Sequence, residues 1–221
     1  MCRFLMVESR PAIRPADLLR RFAGMAERSR SEDGDRQGDG WGICLRNENG
    51  GWRGYWSLRP VWEEEETFTS FPAAHRFVIH ARSASFPGHR GKLEFNQPYV
   101  ADKRAFVFNG LLKGVSAGRP LPGEIGAQKI WSLFGTLNPA GSSRDRMEAL
   151  LRKLETSCRE ISALNLGLAS AEGLFAYCRS TASGAYYRLQ AAETPDLRMV
   201  CSEPFFGFDF RPLETGVIVR L

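Results

Sequence analysis

The chain has 221 residues, 43% of them hydrophobic and 25% charged, and 30 Lys and Arg against 25 Asp and Glu give a formal net charge of +5. This fits one soluble globular domain over residues 1–221, and no stretch approaches the ~18 consecutive apolar residues of a membrane span or the n-region and apolar core of a signal peptide. The arginines are dispersed, which argues for a solvated surface and against a nucleic-acid footprint, and the five scattered cysteines, with no C-x-x-C pair, argue against a disulfide framework or a metal site and for a reducing cytoplasm.

The chain opens on Met1-Cys2-Arg3-Phe4-Leu5-Met6-Val7. If Met1 is removed, Cys2 carries a thiol and an α-amine on one residue, with free-chain pKa values of roughly 8.5 and about 7.7–8.0, so that the amine can take the thiol proton. After Pro15-Ala16-Asp17, the spacing of Leu18, Leu19, Phe22, Met25 and Ala26 predicts an amphipathic helix packed on a sheet. The polar stretch Ser29 to Gly38 reads as an exposed loop leading into Gly38-Asp39-Gly40-Trp41-Gly42, a turn that feeds a strand. Asn47 to Gly51 reads as a hairpin turn with Trp52 to Leu58 returning, and Glu63 to Glu66 as the solvated face of a short helical segment.

Phe77 to Arg82 reads as a buried strand that carries Arg82 to the sheet rim. His80, with no carboxylate at ligand spacing, reads as a hydrogen-bonded structural residue. A loop from Ser83 to Glu94 follows, then Asn96-Gln97-Pro98-Tyr99, and then a strand from Arg104 to Phe108 that ends in Asn109-Gly110. Helices are predicted over Ala127 to Leu137 and from Ser143, taken as the cap, to about Ile161. Short strands are predicted at Ala163 to Ala169, Gly173 to Cys178, Ala185 to Leu189, Leu197 to Cys201 and Gly216 to Leu221. Strands at both ends with helices in two groups suggest an α+β layered domain.

Five separated pieces, in order, resemble the N-terminal class II glutamine amidotransferase domain, an N-terminal nucleophile (Ntn) hydrolase. They are Cys2-Arg3-Phe4-Leu5, Gly38 to Ile43, His80 to Ser85, Asn96 to Tyr99 with Phe108-Asn109-Gly110-Leu111, and Cys201-Ser202-Glu203-Pro204-Phe205. The resemblance implies a four-layer αββα sandwich with Cys2 at the end of a central strand. It implies that Cys2 attacks a side-chain amide to form a γ-glutamyl thioester, that Asn109 and the Gly110 N–H form an oxyanion hole, and that Arg82 binds the substrate α-carboxylate. No cofactor or metal is implied. The family's aspartate for the substrate ammonium has no counterpart in Gly123-Glu124-Ile125-Gly126-Ala127-Gln128-Lys129, so either Glu124 takes that task or the substrate is a different amide, such as a γ-glutamyl conjugate.

The resemblance implies an amidohydrolase, a glutaminase or γ-glutamyl amide hydrolase acting on a small-molecule amide, and the scattered cysteines suggest the cytoplasm. A synthase on a partner protein is needed if ammonia is transferred, and no nucleic-acid or membrane partner is expected. Two alternatives stay open: a catalytically silent relative that binds an amino-acid-like ligand or a partner protein, and an Ntn acylase for another amide.

Overall fold

The computed structural model describes residues 1–30, 34–101, 103–116, 118, 120–181 and 185–221. The first strand, β1 (Arg3–Ile13), is apolar on both faces where it is buried. Leu5 and Val7 point to one side and Phe4 and Met6 to the other, as the two-residue period of a strand requires. A strand with two apolar faces must be covered twice, and β1 lies in the middle of a seven-stranded sheet ordered β11-β9-β10-β1-β4-β2-β3. These strands are β2 (Trp41–Arg46), β3 (Trp52–Ser57), β4 (Ala74–Ala81), β9 (Gln190–Glu193), β10 (Leu197–Cys201) and β11 (Arg211–Pro212). A five-stranded sheet, β12-β8-β7-β6-β5, is built from β5 (Tyr99–Ala101), β6 (Arg104–Lys113), β7 (Glu160–Ser170), β8 (Gly173–Ser180) and β12 (Ile218–Arg220).

Three apolar clusters make these sheets the inner layers of an αββα sandwich. Helix α1 (Ala16–Glu27) sets Leu19 and Phe22 on Leu5, Ile43 and Ile79 of the seven-stranded sheet. Helices α2 (Gly126–Gly135) and α3 (Ser143–Ser157) set Ile130, Phe134, Met147 and Leu150 on Phe106, Leu164 and Leu166 of the other sheet. Between the sheets, Phe4, Met6 and Val78 meet Val107, Ala169 and Ala176. Among the described residues no helix is long and apolar enough to cross a membrane.

Several local expectations change. Asn109-Gly110 does not end a strand, because β6 continues to Lys113, its Asn109 and Gly110 paired with Asn165 and Leu164 of β7. Tertiary pairing overrides the local turn tendency of Asn-Gly. Glu64 is buried, not solvated: it accepts the Trp41 indole N–H at 2.6 Å and the Tyr55 hydroxyl at 3.2 Å, while Glu65 to Ser70 form a 3-10 turn. Ser142, not Ser143, caps α3, its hydroxyl accepting the Asp145 N–H at 3.1 Å, and the helix stops at Ser157. Ala185–Tyr187 is a 3-10 turn and the strand starts at Gln190. The predicted loop from Ser29 to Gly38 lies outside the described residues at 31–33.

Candidate functional site

Because β1 is central, its first residues emerge in the middle of the sheet edge, and Cys2 stands at its head. The Ser83 N–H donates to the Cys2 Sγ at 3.4 Å, and the thiol lies 3.5 Å from the Ser83 carbonyl. Burial pushes the Cys2 thiol up, against the opposing pull of the Ser83 N–H, the N-terminal ammonium and the Arg82 charge. A thiol raised in this way needs a base at hand before it can attack. The Met1 ammonium is paired with the Asp35 carboxylate, which also accepts the Ser83 hydroxyl at 2.7 Å. Burial pulls the Met1 amine down, but the Asp35 hydrogen bond and neighbouring charges outweigh it and hold the amine above its ordinary value. The same contacts, with the Ser83 hydroxyl, overcome burial at Asp35 and hold its carboxyl below the usual range.

The head of β1 is fixed by a buried ion pair. Arg3 donates from Nε to Glu203 at 2.9 Å, and its other nitrogens reach the Cys2 carbonyl at 3.2 Å and the Ser29 hydroxyl at 2.9 Å. Glu203 also accepts the Ser29 hydroxyl at 3.0 Å and the Arg30 N–H at 2.9 Å. Ser202 and Phe4 exchange two hydrogen bonds, both at 3.0 Å, that join this segment to β1. The Ser-Glu-Pro segment is thus a clamp on the Cys2 end. Residue spacing could not reveal it, because Arg3 and Glu203 lie at opposite ends of the chain. The motif alone was the available signal, and for Asp35, within a polar loop, there was none.

Arg82 follows β4 and is buried. It donates to the His89 carbonyl at 2.6 Å and the Asp39 carbonyl at 3.4 Å, and its guanidinium lies 5.3 Å from the Phe95 ring centroid. Asp39 in turn accepts the Ala84 N–H at 2.8 Å and pairs with Arg90 at 3.1 Å. Gly40 lets this turn form: at φ +109 a Cβ would lie 2.4 Å from the Asn96 Nδ2 and 2.6 Å from the Ser57 carbonyl.

The facing wall comes from β6. Asn109 is buried, with its Oδ1 lacking a hydrogen-bond partner among the described residues. Gly110 lies so close to β7 that a Cβ would come within 2.3 Å of the Ala163 carbonyl oxygen. Gln97 fastens the two sheets just behind it. Its Oε1 accepts the Phe108 N–H at 2.6 Å, and its Nε2 donates to the Phe108 carbonyl at 3.0 Å and faces the His80 Nε2 at 3.2 Å. Burial, with the nearby Arg82 charge, lowers the His80 pKa to about 3, so the ring is neutral and accepts at Nε2.

Cys2, Arg82, Asn109, Gly110 and Glu124 line one cavity of about 310 Å³. Glu124 stands at its exposed rim and pairs with Lys92 at 2.6 Å, which holds its carboxyl below the usual range. Leu112, Val115, Ile125 and Ile130 give the cavity an apolar side. The arrangement joins a thiol, a guanidinium and a side-chain amide around a volume suited to a small ligand.

No protein-family model and no curated protein matches the chain. Among solved structures it is similar to a glutamine aminotransferase class-II domain protein from Silicibacter pomeroyi, at 15% identity and a TM-score of 0.66, over 98% of this chain and 93% of that one. It is also similar to glutamine phosphoribosylpyrophosphate amidotransferase from B. subtilis, at 14% identity and a TM-score of 0.68, over 99% of this chain and 47% of that one. A third neighbour, described as the allosteric regulatory enzyme of purine biosynthesis, gives 16% identity and a TM-score of 0.70 over 99% and 47%. The chain spans about half the length of these last two. Its fold is that of class II glutamine amidotransferase domains, the Ntn-hydrolase sandwich.

Proposed function

We propose, starting from this fold, that the chain is a cysteine Ntn amidohydrolase that cleaves the side-chain amide of glutamine or a γ-glutamyl amide. The observation that carries the reading is the convergence of Cys2, Arg82, Asn109 and Gly110 on one cavity. Once Met1 is removed, the Cys2 α-amine takes the thiol proton, and the sulfur attacks the amide carbon. The Asn109 side-chain N–H and the Gly110 backbone N–H receive the resulting oxyanion. Collapse breaks the C–N bond, the ammonium of Cys2 returns its proton to the leaving amine, and a γ-glutamyl thioester remains. Water then attacks the thioester, the thiol regains its proton, and the carboxylate product leaves. Preorganised donors of this kind lower such barriers by roughly 3–4 kcal/mol each.

Arg82 is the proposed partner of the substrate α-carboxylate, for which a planar fork of donors is well matched. Glu124, already drawn to a cation at the rim, is the proposed partner of the α-ammonium. The apolar side formed by Leu112, Val115, Ile125 and Ile130 suits carbon substituents on the amide nitrogen, which favours a γ-glutamyl amide over free glutamine. An ammonia acceptor on a partner protein is the transfer version of the same chemistry.

A second reading, binding without turnover, draws on one observation: with Met1 attached, the amine is held by Asp35 one residue away from the raised thiol. Incubation with γ-glutamyl anilide separates the two. The first reading predicts aniline release by the protein lacking Met1 and none by Cys2→Ala. Equal release by the alanine variant overturns the assignment of Cys2, and binding of glutamine without any release supports the second reading.

A further inference from the structure

At the opposite end of β1 from Cys2 lies a second cavity, of about 330 Å³, whose lining includes Glu8, Arg10, Arg46, Arg76, Asp196 and Arg198. Six to eight residues at about 3.3 Å per residue separate it from Cys2 along the strand, roughly 20–26 Å. It is a place distinct from the site above.

The sheet register explains its charge. Glu8 of β1 is opposite Arg76 of β4 and Arg198 of β10. Pairing of β2 with β4 runs to Leu45 opposite Phe77, and the next step of that antiparallel register sets Arg46 beside Arg76. Directly opposed residues on neighbouring strands share a face. Arg198, Glu8, Arg76 and Arg46 therefore form one row across four strands, on the face that Met6 and Val78 bury between the sheets. The row sits where the sandwich opens beside the turn joining β7 to β8, and there Arg76 donates to the Ala171 carbonyl at 3.2 Å.

Carboxylates do not balance this row. Arg76 is paired with Glu8 and Arg198 with Glu193, whereas Arg46 has no carboxylate within ion-pair distance among the described residues. Like charges set directly opposite across a pair of strands repel. The Nε atoms of both Arg46 and Arg76 are buried without a hydrogen-bond partner among the described residues, a state that buried donors rarely hold without a ligand or water. Arg10, an exposed residue, adds another guanidinium to the lining, so that four arginines meet three carboxylates: Glu8 and Asp196 in the lining and Glu193 beside Arg198.

We propose that this cavity binds a phosphate-bearing small molecule, with its phosphoryl group between Arg46 and Arg76. A tetrahedral dianion offers acceptor oxygens to the Arg46 fork and to the Arg76 Nε at once and cancels the repulsion between the two guanidinium groups. A monocarboxylate brings one charge and two oxygens, too few to do both. The volume matches a ligand of sugar-phosphate size.

Calorimetric titration of the full chain with inorganic pyrophosphate, with succinate as the carboxylate control at matched ionic strength, tests the site. The expected result is saturable single-site binding of pyrophosphate that weakens about tenfold in Arg46→Gln, the loss of one charge-assisted fork. Arg46 is the chosen position because its replacement breaks no ion pair among the described residues, and circular dichroism checks that the variant is folded. Arg46→Lys keeps the charge but not the fork and is expected to fall between the two, while Cys2→Ala binds as the wild type. Absence of saturable binding by the folded wild type, equal affinity in Arg46→Gln, or tighter binding of succinate than of pyrophosphate each overturns the proposal.

Discussion

On the seven-stranded side of the cavity Cys2 is held by side-chain charge. The buried Arg3–Glu203 pair clamps the strand head, and Asp35, through the Ser83 hydroxyl, braces the segment whose backbone meets the sulfur. On the five-stranded side, Asn109 and Gly110 are held mainly by the backbone ladder between β6 and β7, and the Oδ1 atoms of both Asn109 and its cross-strand neighbour Asn165 lack hydrogen-bond partners among the described residues. One wall is therefore positioned by groups whose loss leaves a buried charge. The other is positioned by register, with a side-chain amide oxygen that has no hydrogen-bond partner among the described residues. Stability and chemistry should separate accordingly when each wall is perturbed.

The largest effect is expected at the clamp. Glu203→Gln keeps the shape but leaves the buried Arg3 guanidinium without its counter-charge, and breaking such a pair costs roughly 3–5 kcal/mol. Chemical denaturation should show that loss as a lower midpoint. An unchanged midpoint would mean that register alone also fixes the Cys2 side, and the contrast between the walls would disappear.

Asn109→Ala should behave in the opposite way. Its Oδ1 makes no hydrogen bond among the described residues, so stability should change by no more than about 1 kcal/mol, while removal of one proposed oxyanion donor should lower kcat by roughly 10²–10³. Steady-state kinetics beside a denaturation curve reads both. A large stability loss with kcat intact would make Asn109 a structural residue.

The smallest effect concerns His80, which bridges the walls through Gln97. Its folded pKa of about 3 lies below the free value. Between about pH 6.5 and 3 the unfolded chain therefore binds a proton that the folded chain does not, and stability falls as the pH drops through that window. At pH 5 this amounts to about 2 kcal/mol relative to pH 7. Denaturation of the wild type and His80→Gln at both pH values should show the extra acid loss only in the wild type.

Much of the layering was legible in the sequence because it follows from periodicity. The apolar stripe of α1 requires a sheet to cover it, and helices in two groups with strands at both ends of the chain suggest the layers. The candidate residues were found through short motifs, since a cysteine behind Met1, an arginine at the end of a strand and an Asn-Gly pair mean little alone. What was not legible depends on contacts distant in sequence. Glu64 looked solvated among its acidic neighbours, yet Trp41 and Tyr55 fold over it. Asn109-Gly110 looked like a strand end, yet β7 extends the pairing beyond it. The Arg3–Glu203 clamp joins residues that only the topology brings together.

The central claim, that Cys2 is the nucleophile of an amide-cleaving site, is tested most directly by intact-mass measurement after incubation with a glutamine analogue that carries an electrophilic ketone in place of the amide. The expected result is a chain that lacks Met1 and carries a single adduct on Cys2, and no adduct in Cys2→Ala. Labelling that persists in the alanine variant, or a chain without Met1 that stays unmodified at saturating reagent, would contradict it.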